Sequence, residues 1–150
     1  MTDDVLSCHI AENALVSIKR ASIASGSLQA FVIGYSATLI AIHYVRDFQF
    51  DGYLVLRRSD ISEIGCRATD RFQRDLIDDA GATPHQDPMD PVVLDSFPEL
   101  LASCPETEVV IVECESADGD VFTIGRYAGI DVDGFLSIHE FSGPPIGTTI

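Results

Sequence analysis

LQAFVIGYSATLIAIHYVRDFQFDGYLVLRRSDISEI, residues 28–64, is the stretch that decides the fold. Short runs of β-branched and aromatic residues are separated by small polar groups, which is the pattern of strands joined by tight turns. The spacing predicts strands over 28–35 and 39–46, a turn at Asp51-Gly52, a strand over 53–57, and a tight turn at Ser59-Asp60 into a short strand over 61–64. Upstream, ALVSIKRASIA at 14–24 reads as one more strand, with Gly26-Ser27 as the turn that follows. Five strands in about fifty residues make an antiparallel meander that closes into a small barrel or stays a half-sandwich.

Downstream the pattern changes period. TDRFQRDLIDDA at 69–80 places Phe72 and Leu76, and with them Ile77, at helical spacing; Thr69 or Asp70 is placed to cap it and Gly81 to stop it. Residues 81–91 hold three prolines and no periodicity, which marks a connector. Residues 94–104 read as a second short helix with Pro98 in its first turn, where the missing N–H costs nothing. Strands follow at 107–115, 120–128 and 135–141, with turns at Asp118-Gly119 and Asp131–Gly134, and 146–150 is read as a fourth strand or its beginning. The chain thus divides into a first β unit (1–68), a helical connector (69–106) and a second, partial β unit (107–150).

The two β sections resemble one another. Phe31-Val32-Ile33-Gly34 aligns with Phe122-Thr123-Ile124-Gly125, and the strand carrying His43 aligns with the strand carrying His139. The reading is one β unit used twice, with the second lacking a counterpart of DGYLVLRRSDISEI. An unfinished unit leaves a strand edge that invites pairing, so a protein partner, self-association or packing of one unit against the other is expected.

The bent second and third strands, and the tight turn into the fifth, make 28–64 similar to SH3-like and Sm-like small β-barrels among uncharacterised bacterial proteins. The resemblance covers 37 of the 150 residues clearly and the second copy weakly. It implies a mainly β fold of two such units, the second partial, linked by two short helices. It implies no activity. Sm proteins bind RNA through polar and basic residues of two loops; here the loop at 46–52 holds Arg46 beside Asp47 and Asp51, and the loop at 58–60 is Arg-Ser-Asp.

Charge is the unusual feature. Residues 1–74 carry eight Lys/Arg and eight Asp/Glu, whereas 75–150 carry sixteen Asp/Glu and only Arg126, so the net charge of −15 belongs to the second half. Such a surface repels phosphates and argues against wholesale coating of nucleic acid. The apolar runs are too short to span a membrane as helices. Acids at Asp3 and Asp4, where a signal peptide has bases, point to a cytoplasmic setting. Cys8, Cys66, Cys104 and Cys114 lack the tight pairing of a zinc site and read as thiols; no metal or other cofactor is expected.

Two groups carry the sharper possibilities. Arg57, Arg58, Arg67, Arg71 and Arg74 are the basic concentration, suited to a phosphate or to pairing with nearby acids such as Asp75. His43 and His139 hold matching repeat positions, as a paired metal or acid/base site across the two units or as tolerated strand residues. Asp131-Val132-Asp133-Gly134 lacks the Glu a calcium loop needs, because position 142 is Ser142. Neither a phosphate loop nor a Gly-x-Ser-x-Gly elbow occurs. Glu106, Glu108, Glu113 and Glu115 flank an apolar strand as solvent-facing ends. The leading expectation is a non-enzymatic binding or adaptor protein acting through protein contacts. RNA binding through the arginine group, and a small hydrolytic enzyme using His43 or His139, are the alternatives.

Overall fold

The computed structural model describes residues 2–82, 93–105, 109–114, 121–131 and 136–140. It is mainly β, with three helices and two antiparallel sheets, and the chain divides into two compact units at Ser96/Phe97. The expected connector is therefore split: its first helix belongs to the first unit and its second to the second unit. The strand expected at 146–150 and the turns at Asp118-Gly119 and Asp131–Gly134 lie, in whole or in most part, outside the described residues.

The first unit opens with a helix that the pattern reading passed over, α1 (Asp3–Ala11). Asp3 and Asp4 lie in its first turn, where carboxylates favour the positive helix end. Asn13, at φ 48°, ends it in the left-handed conformation that Asn tolerates. Strands β1 (Leu15–Lys19), β2 (Ser27–Tyr35), β3 (Leu39–Arg46), β4 (Gln49–Arg57) and β5 (Glu63–Gly65) follow, with a 3-10 turn at Arg58–Asp60 before β5. Their order in the sheet is β4-β3-β2-β1-β5. β4 and β5 stand at its two edges, and among the described residues no pairing between them closes a barrel.

The centre of the sheet is covered on both sides, which is why the first four residues of β1 and the first five of β3 are buried without alternation. On one face Leu6 of α1 packs with Val16, Ile18, Ala30, Val32, Ile40 and Ile42. On the other, helix α2 (Ala68–Asp79) places Ile77 against Leu15, Phe31 and Val45.

The phase of α2 corrects the sequence expectation. Ile77 is buried as expected, but Phe72 and Leu76 are 62% and 38% exposed. A polar anchor sets the rotation. Asp70, fully buried, accepts hydrogen bonds from the Ser17 hydroxyl (2.8 Å) and the Arg67 backbone N–H (2.7 Å), with Gln29 Nε2 at 3.4 Å. Asp70 and Ile77 are seven apart and share a face, which leaves Phe72 and Leu76 away from the sheet. Gly81, at φ +73°, stops the helix as expected, and Gly81 and Ala82 donate back to Asp78 and Ile77.

Asp51-Gly52 is not the hairpin turn. The two-residue loop is Asp47-Phe48, both at positive φ (50° and 64°), which matches the twist of a two-residue hairpin. Asp51-Gly52 instead forms a bulge: His43 faces Tyr53 and Val45 faces Phe50, so three steps on β4 oppose two on β3.

In the second unit, α3 (Phe97–Ser103) precedes β6 (Val109–Cys114), β7 (Val121–Ile130) and β8 (Leu136–Glu140), in sheet order β6-β7-β8. α3 packs on β7, burying Leu100 and Tyr127. Both units contain a three-strand meander, yet the repeat motifs do not occupy equivalent places. Phe31 faces His43 across β2 and β3, whereas His139 faces Arg126, four residues beyond Phe122.

Candidate functional site

The five arginines do not form one patch of bare charge. Arg58 joins α1 to the β2–β3 turn: its guanidinium pairs with Asp3 (2.8 Å), donates to the Ser36 carbonyl, and lies over the Tyr35 ring (5.5 Å). Arg67 immediately precedes α2 and pairs with Glu63 (2.7 Å). Arg74 pairs with Asp78 (2.8 Å), donates to the Asn13 carbonyl and covers the Phe31 ring. Within α2 an ion pair thus forms at Arg74–Asp78. Arg57 is exposed at the end of β4, and Arg71 is exposed on α2.

Glu63 is shared by Lys19 (2.6 Å), its cross-strand neighbour, and Arg67. Those two cations, Lys19 first, hold its carboxyl below the usual carboxylate range. The group ties the β5 edge to the start of α2.

His43 is 3% exposed and sits between two rings, Phe50 at 4.2 Å and Tyr53 at 4.4 Å, both stacked. The bulge makes this possible. Residues three apart on a regular strand point to opposite faces; the extra residue turns Phe50 and Tyr53 to the same side. Burial pushes the Tyr53 phenol above its ordinary pKa. His139 is exposed, in the other unit, opposite Arg126. The two histidines therefore occupy different environments, one enclosed by aromatic rings and one on an open strand. Among the described residues no group of three or more His, Cys, Asp or Glu is arranged to hold a metal ion. No helix there is long and apolar enough to cross a membrane.

The feature sequence reasoning missed is the outer face of the second sheet. Exposure alternates over 109–113 of β6 and 122–128 of β7, with Val109, Ile111 and Glu113, and Phe122, Ile124 and Arg126, on one side. Ile111 faces Ile124, Val109 faces Arg126, and Glu113 faces Phe122. Val109, Ile111, Phe122 and Ile124 are 52%, 56%, 58% and 40% exposed, so they form a contiguous apolar strip. The strip has a basic end, Arg126 with His139 opposite it, and an acidic end at Glu113. The available signal was the unbroken Val-Val-Ile-Val of β6. Such a run belongs to a strand with both faces buried, whereas the helix here packs on the side of Leu100 and Tyr127.

No protein-family model, curated protein or solved structure matches this chain.

Proposed function

We propose that the chain is a non-enzymatic binding or adaptor protein acting through protein–protein contacts, and that the outer sheet face of the second unit is its contact surface. The observation that carries this reading is the adjacent exposure of Val109, Ile111, Phe122 and Ile124. Single exposed apolar residues are ordinary on a protein surface, but a contiguous strip rimmed by charge marks a contact site. The acidity of residues 97–150, ten Asp/Glu against Arg126, supplies solubility and long-range steering around that strip.

The small-barrel likeness belongs to the first unit, where the five-strand order and the tight turn into β5 support it. The reading includes a cytoplasmic setting, in keeping with Cys8, Cys66 and Cys104 as thiols.

The test compares tagged wild type with an Ile111→Asp/Phe122→Asp variant, whose unchanged circular dichroism and melting curve show that it folds. A protein, or an untagged copy of the chain, that is purified separately and binds wild type but not the variant supports the reading. Equal binding of the same proteins by both overturns it.

A further inference from the structure

We infer that the occupant of the outer sheet face is a second copy of this chain, packed face to face with its strands antiparallel to those of the first. The inference rests on the reading of that face as a protein contact surface.

The layout of charge carries it. Arg126 and His139 lie at one end of the ladder, Glu113 lies at the other, and Ile111 faces Ile124 between them. Two copies related by a two-fold axis across the strands bring the Glu113 end of each to the Arg126 end of the other. The two apolar middles then cover one another. A two-fold axis along the strands instead sets the two Glu113 ends together and the two Arg126 ends together, and like charges at neighbouring positions oppose that pairing. Of these two arrangements only the first makes the face complementary to itself, as an isologous dimer requires. Arg126 strengthens the point. It is the single Lys or Arg among residues 75–150 and it stands on this face, where a copy's Glu113 is attracted to it.

The size of the face sets the expected affinity. Strands about 4.8 Å apart and rising about 3.4 Å per residue give a face of roughly 15 by 20 Å. That is well below the roughly 800 Å² per partner of a standard interface, so the dimer is expected to be weak, dissociating at roughly 100 µM.

Sedimentation equilibrium of the full chain over about 1–500 µM reads this directly. Wild type is expected to show a reversible monomer–dimer equilibrium. Glu113→Arg and Arg126→Glu each weaken it about tenfold or more, and an equimolar mixture of the two recovers a heterodimer, because both end contacts are then opposite in sign. Arg71→Glu and Asp75→Arg, a pair with the same charge changes in the first unit, control for net charge and change self-association by less than about threefold, with no recovery on mixing. The inference is overturned by a wild type that stays monomeric throughout. It is equally overturned by a dimer that survives both charge swaps, as one formed edge to edge would, or by a mixture that associates no better than its parts. A monomeric wild type that still binds another protein through Ile111 and Phe122 refutes self-pairing while leaving the contact-surface reading intact.

Discussion

Three residues in the first unit bear more of the fold than their types announce. Gly52 sits at φ +94° in the bulge that turns Phe50 and Tyr53 onto His43. A Cβ there meets open space, so the penalty for Gly52→Ala is conformational. It is expected to cost about 1–2 kcal/mol in urea denaturation. Phe48 is the converse: a bulky residue at φ 64° on a hairpin tip, half exposed. Phe48→Gly relieves that strain and is expected to raise stability by about 1 kcal/mol in the same measurement. Asp70 is the third. Asp70→Ala strands the Ser17 hydroxyl and the Arg67 N–H in a buried site and is expected to cost about 3 kcal/mol, whereas Ser17→Ala, which leaves the capping contact in place, costs about 1–2. Two ionisable groups add to the pH dependence of stability. The Glu63 carboxyl titrates lower in the folded chain than in the unfolded one. Its contribution is therefore complete above its unfolded pKa, about 4.3, and is lost as pH falls through the lower folded value. The Tyr53 phenol is shifted upward, so its contribution holds below its unfolded pKa of about 10 and is lost as pH rises toward the folded value. Melting temperature against pH should lose its acid slope in part in Glu63→Gln and its alkaline slope in part in Tyr53→Phe.

Among the elements, α2 shows how far a hydrophobic pattern can mislead. Phe72 and Leu76 have the spacing of a buried stripe, yet the helix is rotated so that Asp70 and Ile77 meet the sheet. Phe72→Glu is accordingly expected to change stability by less than about 0.5 kcal/mol, and Ile77→Ala to cost about 2–4, as read by thermal unfolding. The strands of the first unit were legible because β-branched runs bounded by small residues leave few options; β3 spans Leu39–Arg46, as the pattern predicts. The phase of α2 was not legible, because it depends on Ser17 and Gln29, roughly fifty and forty residues away in sequence. Helix α1 escaped because only Leu6 is buried in it, although Asp3, Asp4 and Asn13 mark its ends. Asp51-Gly52 misled for a different reason: the dipeptide suits a bulge as well as a turn, and only the pairing register separates the two. In the second sheet, a Cβ at Gly125 would overlap the His139 backbone and the Ile138 side chain at 2.5 Å. Gly125→Ala should therefore disturb the β7–β8 pairing and unfold the second unit at a lower temperature, at a cost of about 1–3 kcal/mol, with the first unit's amide exchange unchanged.

Across the whole molecule, charge decides which kind of association can persist. Residues 1–96 carry −6 and residues 97–150 carry −9, so both units are acidic and the second is the more so for its length. Two copies that pair through the second unit bring like net charges together. Their apolar strips and the Glu113–Arg126 contacts must outweigh that repulsion. Exposed ion pairs contribute at most about 1 kcal/mol each, so the apolar strip supplies most of the attraction. Added salt weakens the end contacts slightly and screens the opposing net charges more, since the Debye length falls from about 14 Å at 0.05 M to about 4 Å at 0.5 M. Self-association is therefore expected to tighten about threefold over that range, measured as the dimer dissociation constant by sedimentation equilibrium. A basic protein drawn to the acidic unit gives the opposite slope, because screening removes the attraction that steers it. The sign of the salt dependence thus separates two partners that both bury the same four side chains. A dissociation constant that rises with salt would place the binding energy in the acidic field rather than in Val109, Ile111, Phe122 and Ile124.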